Sequence, residues 1–296
     1  MNKLNILTGA SGFLGKLILE NSNINFVTLG RSMYSDIVND LINNVPNLKN
    51  IDLIVHCAGL AHFTPKTIED EKLIYNTNVV GIKNLLSAFS SNNLPKKFVF
   101  ISSVSVYGLI KGESFDETTP LLANDPYGKS KIEAEQILKD WCKEHNVTYT
   151  ILRLPLVVGD KPPGNLDSMI KGIKKGYYFN IAGGKAKKSM VLGSDIAKYI
   201  MIASEIGGIY NLTDGYHPTF KDLSNIISQN LGKNNVLNMP YYLAIIFAKI
   251  GDLIGDFFPI NSAKLSKITT TLTFDDSKAC KAFGWKPTPV LEGFKL

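Results

Sequence analysis

A phenol and an ammonium stand four residues apart in "PYGKSK", as Tyr127 and Lys131. On a helix that spacing projects both from one face. Asp125 and Pro126 just ahead supply an N-cap and a first-turn proline. Such a pair could exchange a proton with a bound oxygen. A second set of hydroxyls, Ser102 and Ser103, closes the apolar run in "FISSVSVYG". The third feature is "TGASGFLG" at residues 8–15, whose glycines Gly9, Gly12 and Gly15 follow another apolar run. Glycines let a backbone approach a pyrophosphate closely, and a helix starting near Gly12 would offer it free N–H groups and a positive dipole end. The spacing is not the common G-x-G-x-x-G, and each feature has an ordinary alternative: a solvated helix face, serines at a strand end, a tight turn. Their occurrence together, in this order, favours a site.

The elements that must position these residues can be read from the hydrophobic pattern. Apolar runs at residues 4–8, 25–29, 53–57, 98–102 and 148–154 alternate with longer stretches, and helical patterns cover about 76–90 and 127–145. Strands separated by helix-length crossovers imply an α/β protein with a doubly wound parallel sheet, its strands apolar because both faces are covered. In such sheets ligands bind outside the carboxyl ends of the strands. Past Pro162 the regularity loosens into a strand near 209–213, a helix from Thr219, an apolar helix and a closing "FGWKP". The expected division is residues 1–164 for the nucleotide-binding part and 165–296 for a smaller, irregular α/β substrate domain. A segment at about 189–214 would return to the first sheet.

The chain has 296 residues, 45% of them hydrophobic, and a formal charge of +6, with one local basic cluster in "GGKAKKS". Spread-out positive charge suits polyanionic small molecules such as nucleotides and argues against a nucleic-acid partner. Cys57, Cys142 and Cys280 lie far apart, so neither a disulfide frame nor a metal site is expected. The most apolar stretch, residues 241–258, carries Lys249, Asp252 and Asp256 and reads as an amphipathic helix, with no membrane span. With no room for a signal peptide ahead of the first strand, a cytoplasmic protein is expected.

From about Lys3 to Pro287 the chain resembles the extended short-chain dehydrogenase/reductase family. The carriers are "TGASGFLG", "VHCAG", "NTNVVGIKNLL", "ISSVSVYG", "YGKSK" and "GWKP". The resemblance implies a Rossmann fold whose phosphate cradle takes the form G-x-x-G-x-x-G, and it assigns Tyr127 as acid/base, Lys131 as its activator and Ser103 as hydroxyl partner to the substrate oxygen. A fixed ammonium near a phenol favours the phenolate and lowers its pKa, in keeping with those roles. In the cofactor cleft it places Gly9, Ser11, Gly12, Phe13, Leu14 and Gly15 after the first strand, and Cys57, Ala58, Gly59 and Asn78 after the third. Ile101, Ser102, Leu154, Pro155 and Val157 line the cleft further on, beside Tyr127 and Lys131. Asn78 is also expected to brace the core. Where an NAD enzyme carries an acid after the second strand, this chain has Arg31 and Ser32, so NADP is expected over NAD, with Asp40 and Leu41 along the adenine.

The resemblance points to a nucleotide-diphosphate sugar as substrate, with His62, Ser103, Val104, Ser105 and Lys188 near it. Sugar 4,6-dehydratases carry Asp-Glu where this chain has Val104 and Ser105, which argues against dehydration. UDP-hexose 4-epimerases commonly have an asparagine where Pro155 and Leu156 stand, and two arginines on the diphosphate. Lys188 replaces the first, and the second has no evident counterpart near "TTTLTFDD". The expected function is reduction of a UDP-4-keto-6-deoxy-hexosamine for surface polysaccharides. UDP-hexose 4-epimerase is the alternative, and a reductase of a hydrophobic alcohol or a cofactor sensor are more distant ones. A homodimer is compatible with the family.

Overall fold

The computed structural model describes residues 3–61, 63, 65–255, 258 and 260–295. The chain opens on β1 (Leu4–Thr8), α1 (Phe13–Asn21), β2 (Phe26–Gly30), β3 (Ile37–Val38) and β4 (Ile51–His56). Then come α2 (Ile68–Tyr75), α3 (Gly81–Leu86), β5 (Lys97–Ser103), the short β6 (Gly112–Phe115), α4 (Pro126–His145), β7 (Thr148–Leu154) and β8 (Leu156–Val158). The helix expected over 76–90 begins earlier, at the Thr67 capping box with Asp70, and runs through a π-helical turn at Asn76–Val80 into α3.

The second half holds α5 (Gly164–Lys175), β9 (Asn180–Ile181), β10 (Met190–Leu192), α6 (Gly193–Ile206) and β11 (Gly208–Asn211). It closes with α7 (Phe220–Asn230), β12 (Asn238–Met239), α8 (Tyr241–Ile254), α9 (Ser262–Thr269), β13 (Leu272–Phe274), α10 (Ser277–Phe283) and α11 (Val290–Gly293).

Seven strands form one parallel sheet in the order β11-β7-β5-β4-β1-β2-β3. The chain winds from β1 outward to β3, then returns through β4 to the other side. That reversal opens a crevice beyond the carboxyl ends of β1 and β4, where a dinucleotide fits. Alternation along the strands builds a core on each face. Leu7, Val55, Val99 and Leu152 pack against α1, α6 and α10. Ile6, Ile54, Phe98 and Ile151 pack on the other face against α3 and α4.

Three parallel two-stranded pairs, β8–β10, β9–β12 and β6–β13, organise the rest. Met169, Ile173, Leu223, Ile227 and Val290 form their main core. The apolar stretch expected as a helix forms α8. It packs through Ala244 and Ala248 on Leu265, and its large apolar side chains face outward.

Candidate active site

The glycine loop lies between β1 and α1, at the floor of the crevice. Gly12 caps α1 without a side chain, and its N–H donates to the Gly9 carbonyl at 3.0 Å. Gly9 takes φ +73, and a Cβ there would lie 2.6 Å from the Ala58 nitrogen. A Cβ on Gly15 would lie 2.2 Å from the Gly9 oxygen. Only glycine fits at these two points, so the loop brings bare backbone and the uncapped N-terminus of α1 to the crevice. The donor set suits a pyrophosphate. The Thr8 hydroxyl fastens β1 to β4, sitting 2.7 Å from His56 Nδ1 and accepting from the Ala58 N–H at 3.1 Å. Burial pushes His56 down to about 3, with the Lys131 charge acting in the same direction, so the ring is neutral and structural.

Tyr127, Lys131 and Ser103 meet at the next strand end. Asp125 caps α4 by accepting from the Gly128 N–H at 3.0 Å, with Pro126 in the first turn. The Ser103 hydroxyl lies near enough to the Tyr127 phenol to act on it, and its own hydrogen bonds go to Ser105, donating to Oγ and accepting from the N–H, both at 3.2 Å. Lys131 is buried, donates to the Ile101 carbonyl at 2.9 Å and stands 4.7 Å over the Phe100 ring. Burial draws its ammonium down to about 8.

The expected lowering of the Tyr127 pKa is not what the protein groups produce. Burial pushes the phenol up to about 12, against the smaller opposite effect of the Ser103 hydroxyl. The Lys131 ammonium is held by the Ile101 carbonyl and the Phe100 ring.

Two residues expected along the cofactor turn their side chains into the protein. Ser102 alternates away from Ser103 and donates to Glu135 at 2.5 Å. Asn78 is buried; it accepts from the Leu60 N–H at 2.8 Å and donates to Ser130 at 2.9 Å, whose hydroxyl donates to the Tyr127 carbonyl at 2.7 Å. Asn78 is thus a brace between the loop after β4 and the first turn of α4. The side chains of Leu14, Ile101 and Leu154 pack in one core and that of Leu41 in the other, while Phe13, Cys57, Ala58, Pro155 and Val157 remain half-exposed.

Behind Ser102 lies a network the sequence reading missed. Glu135 receives Arg153 at 3.1 and 2.7 Å, Arg153 donates to the Tyr107 hydroxyl at 3.1 Å, and Tyr107 donates to Asn211 at 2.7 Å. It joins α4 to β5, β7 and β11 directly beneath the hydroxyl site.

At the outer end of the crevice Arg31 is exposed, and no carboxylate among the described residues pairs with it. Ser32 accepts from the Tyr34 N–H at 3.2 Å. Asp36 folds back to accept from the Thr28 N–H and hydroxyl at 2.8 and 2.7 Å, bonds that hold its carboxyl below the usual range. Asp40 accepts from Ile42 and Asn43 in its own turn.

At the other end, Val104 and Ser105 form a short turn after β5. Lys188 is half-buried; burial and then the charge of Lys267, on α9, draw it down to about 8. Folding brings Lys267 near enough for its charge to act on Lys188, which the sequence did not show. Neither lysine is paired with a carboxylate among the described residues. His62 lies outside the described residues.

A reversing parallel sheet with a glycine cradle at its switch point defines a dinucleotide-binding class. Residues 6–212 match the NAD dependent epimerase/dehydratase family, and the chain belongs to that family. It is similar to the N-acetyl-alpha-D-glucosaminyl-diphospho-ditrans,octacis-undecaprenol 4-epimerase of Escherichia coli O157:H7, with 29% identity over 300 residues covering 94% of this chain and 89% of the relative. The UDP-glucose 4-epimerase of Vibrio cholerae is 27% identical over 318 residues, covering 100% of this chain and 94% of the relative. Among solved structures, the UDP-glucose 4-epimerase of Thermotoga maritima with UDP-glucose superposes with a TM-score of 0.73 at 20% identity, covering 96% of this chain and 94% of that one. The protein is therefore an enzyme of the extended short-chain dehydrogenase/reductase type, built for an NAD(P) cofactor.

Proposed function

We infer that the enzyme carries out oxidoreduction at C4 of a hexose or hexosamine held through a diphosphate, in the direction of 4-keto reduction. The observation that carries this reading is the Tyr127–Ser103 hydroxyl pair at the strand end, with Lys131 behind it. A reduced nicotinamide, held by the glycine cradle and Lys131, would supply the hydride. Ser103 holds the C4 oxygen by hydrogen bonding, and Tyr127 gives that oxygen its proton as negative charge develops there. A phenol pushed up to about 12 stays protonated at neutral pH, which suits a donor. Lys131, anchored on the Ile101 carbonyl, would hold the cofactor's ribose hydroxyls. Lys188, half-buried and within reach of the Lys267 charge, takes the diphosphate. Arg31, free of a carboxylate partner and with Ser32 beside it, reads a 2′-phosphate and selects NADPH. The finer assignment is a UDP-4-keto-6-deoxy-hexosamine used in surface polysaccharides.

A second reading, 4-epimerisation, is favoured by the activities for which the relatives above are named. One assay separates the two. A reductase consumes one NADPH for each 4-keto sugar nucleotide, seen as falling reduced-nicotinamide absorbance. An epimerase interconverts UDP-hexose C4 epimers with no net change in absorbance and no added cofactor, and that outcome would replace the first reading by the second.

A further inference from the structure

α8 is built inside out. Its inner stripe is Ala244, Ala248 and Gly251, where a Cβ on Gly251 would lie 1.8 Å from the Ile260 oxygen. Its outer face carries Tyr242, Leu243, Ile246, Phe247, Ile250 and Leu253, with Tyr242 66%, Ile246 54% and Leu253 90% exposed. At 3.6 residues per turn these six fall on one contiguous stripe with no charge within it. An uncompensated apolar stripe of this size marks a contact surface.

The surroundings say what kind of contact. From Lys233 to Thr270 the sequence has Lys233, Lys249, Lys264 and Lys267 against Asp252 and Asp256. Asp252 is taken up internally, accepting from the Ser262 N–H at 2.9 Å. Lys249 borders the stripe, and Lys264 and Lys267 lie on α9, which packs against α8. A second copy of the same face would set Lys249 and the net positive charge of this segment against themselves, whereas an anionic surface attracts them. The helix has 14 residues, short of the roughly 20 needed to span a bilayer, and no helix among the described residues is long and apolar enough to cross one. Exposed tyrosines at its start and a lysine at its edge match a helix lying in the headgroup region.

We propose that the outer face of α8 docks the enzyme on an anionic phospholipid bilayer, with the apolar stripe in the interface and Lys249, at its edge, against the headgroups. The helix lies on the membrane rather than across it. Because α9 carries Lys267 and packs on α8, docking brings the Lys188–Lys267 end of the crevice to the membrane side. The proposal stands on the helix and its charges, whichever sugar the site takes.

The test is cosedimentation of the full chain with vesicles of equal parts phosphatidylcholine and phosphatidylglycerol, beside pure phosphatidylcholine vesicles, with size-exclusion of the vesicle-free protein in parallel. The wild type is expected to sediment with the anionic vesicles and to be partly released by added salt. The double variant Ile246→Gln/Leu253→Gln is expected to bind those vesicles at least about tenfold more weakly, as loss of two inserted side chains requires, with an unchanged thermal midpoint. Wild-type protein that stays in the supernatant with both vesicles, or a double variant that binds as the wild type does, overturns the proposal. A solution dimer that the double variant dissociates, with no vesicle binding by either protein, assigns the face to a second copy and overturns it as well.

Discussion

Beneath the carboxyl edge of the sheet, the buried charges Glu135, Arg153 and Lys131 each have a partner in hand. On the cap formed by α8 and α9, the large apolar side chains are outside and the small ones inside. The first region uses an apolar interior to fix polar groups, so that Ser103 and Tyr127 stand on a rigid floor. The second uses a minimal interior to keep an apolar exterior available. Burial follows what an element must touch, and hydrophobicity alone does not say which way a helix turns.

The contrast can be broken first at the hydroxyl site. Tyr127→Phe removes the proton donor and leaves the glycine cradle intact. Turnover of a 4-keto sugar nucleotide is expected to fall by about two to four decades, with cofactor affinity by fluorescence titration unchanged. Turnover near the wild-type rate would move the chemistry away from Tyr127.

The floor itself is tested next. Arg153→Met leaves Glu135 buried beside Ser102 without its cation, and chemical denaturation is expected to show a loss of about 3–5 kcal/mol. Arg153→Met/Glu135→Met is expected to recover most of that loss, since the uncompensated charge is gone. A single variant as stable as the wild type would mean that the network is not what holds the edge together.

This region shows how far the sequence could be read. "TGASGFLG" and "YGKSK" were legible because their spacing is local: a strand end, a turn and one helical face fix where Gly9, Tyr127 and Lys131 go. The parallel sheet was legible because near-continuous apolar runs mean strands covered on both faces. Arg153 was missed because, inside "ILRLPL", it reads as an interruption of a strand, and its partners lie on α4 and after β5. Lys267 was missed because the reach of its charge to Lys188 depends on how α9 packs. The phenol's raised pKa was missed because spacing shows an ammonium four residues on, but not that burial dominates at Tyr127 while the ammonium is turned to the Ile101 carbonyl.

A smaller effect sharpens the outer end of the crevice. Arg31 is exposed and has no carboxylate partner among the described residues, in contrast to the buried Arg153 held by Glu135. A charge-assisted hydrogen bond to a 2′-phosphate contributes about 1.5–3 kcal/mol, so the wild type is expected to prefer NADPH by roughly ten- to a hundredfold. Arg31→Asp is expected to erase or reverse that preference in KM while leaving the rate with saturating NADH nearly unchanged. Equal affinity of the wild type for the two cofactors at moderate salt would take Arg31 out of the recognition.

The smallest change tests the orientation of α8 within a single helix. Ala248 sits in the inner stripe, among Leu265 and its neighbours. Ala248→Leu forces extra volume into that contact and is expected to lower stability by about 1–3 kcal/mol in chemical denaturation. Leu253, on the outer face, has almost no protein to lose contact with. Leu253→Gln is expected to change stability by no more than about 0.5 kcal/mol, though the same substitution in a buried leucine would remove several. The signal for this arrangement was present in the sequence, since Ala244, Ala248 and Gly251 recur at helical spacing while the bulky residues fall between them. Its sense was not, because both stripes are apolar and only the tight approach of Ile260 selects the small one. A destabilised Leu253→Gln beside a neutral Ala248→Leu would turn the helix around, removing both the contrast between the two regions and the surface on which membrane docking rests.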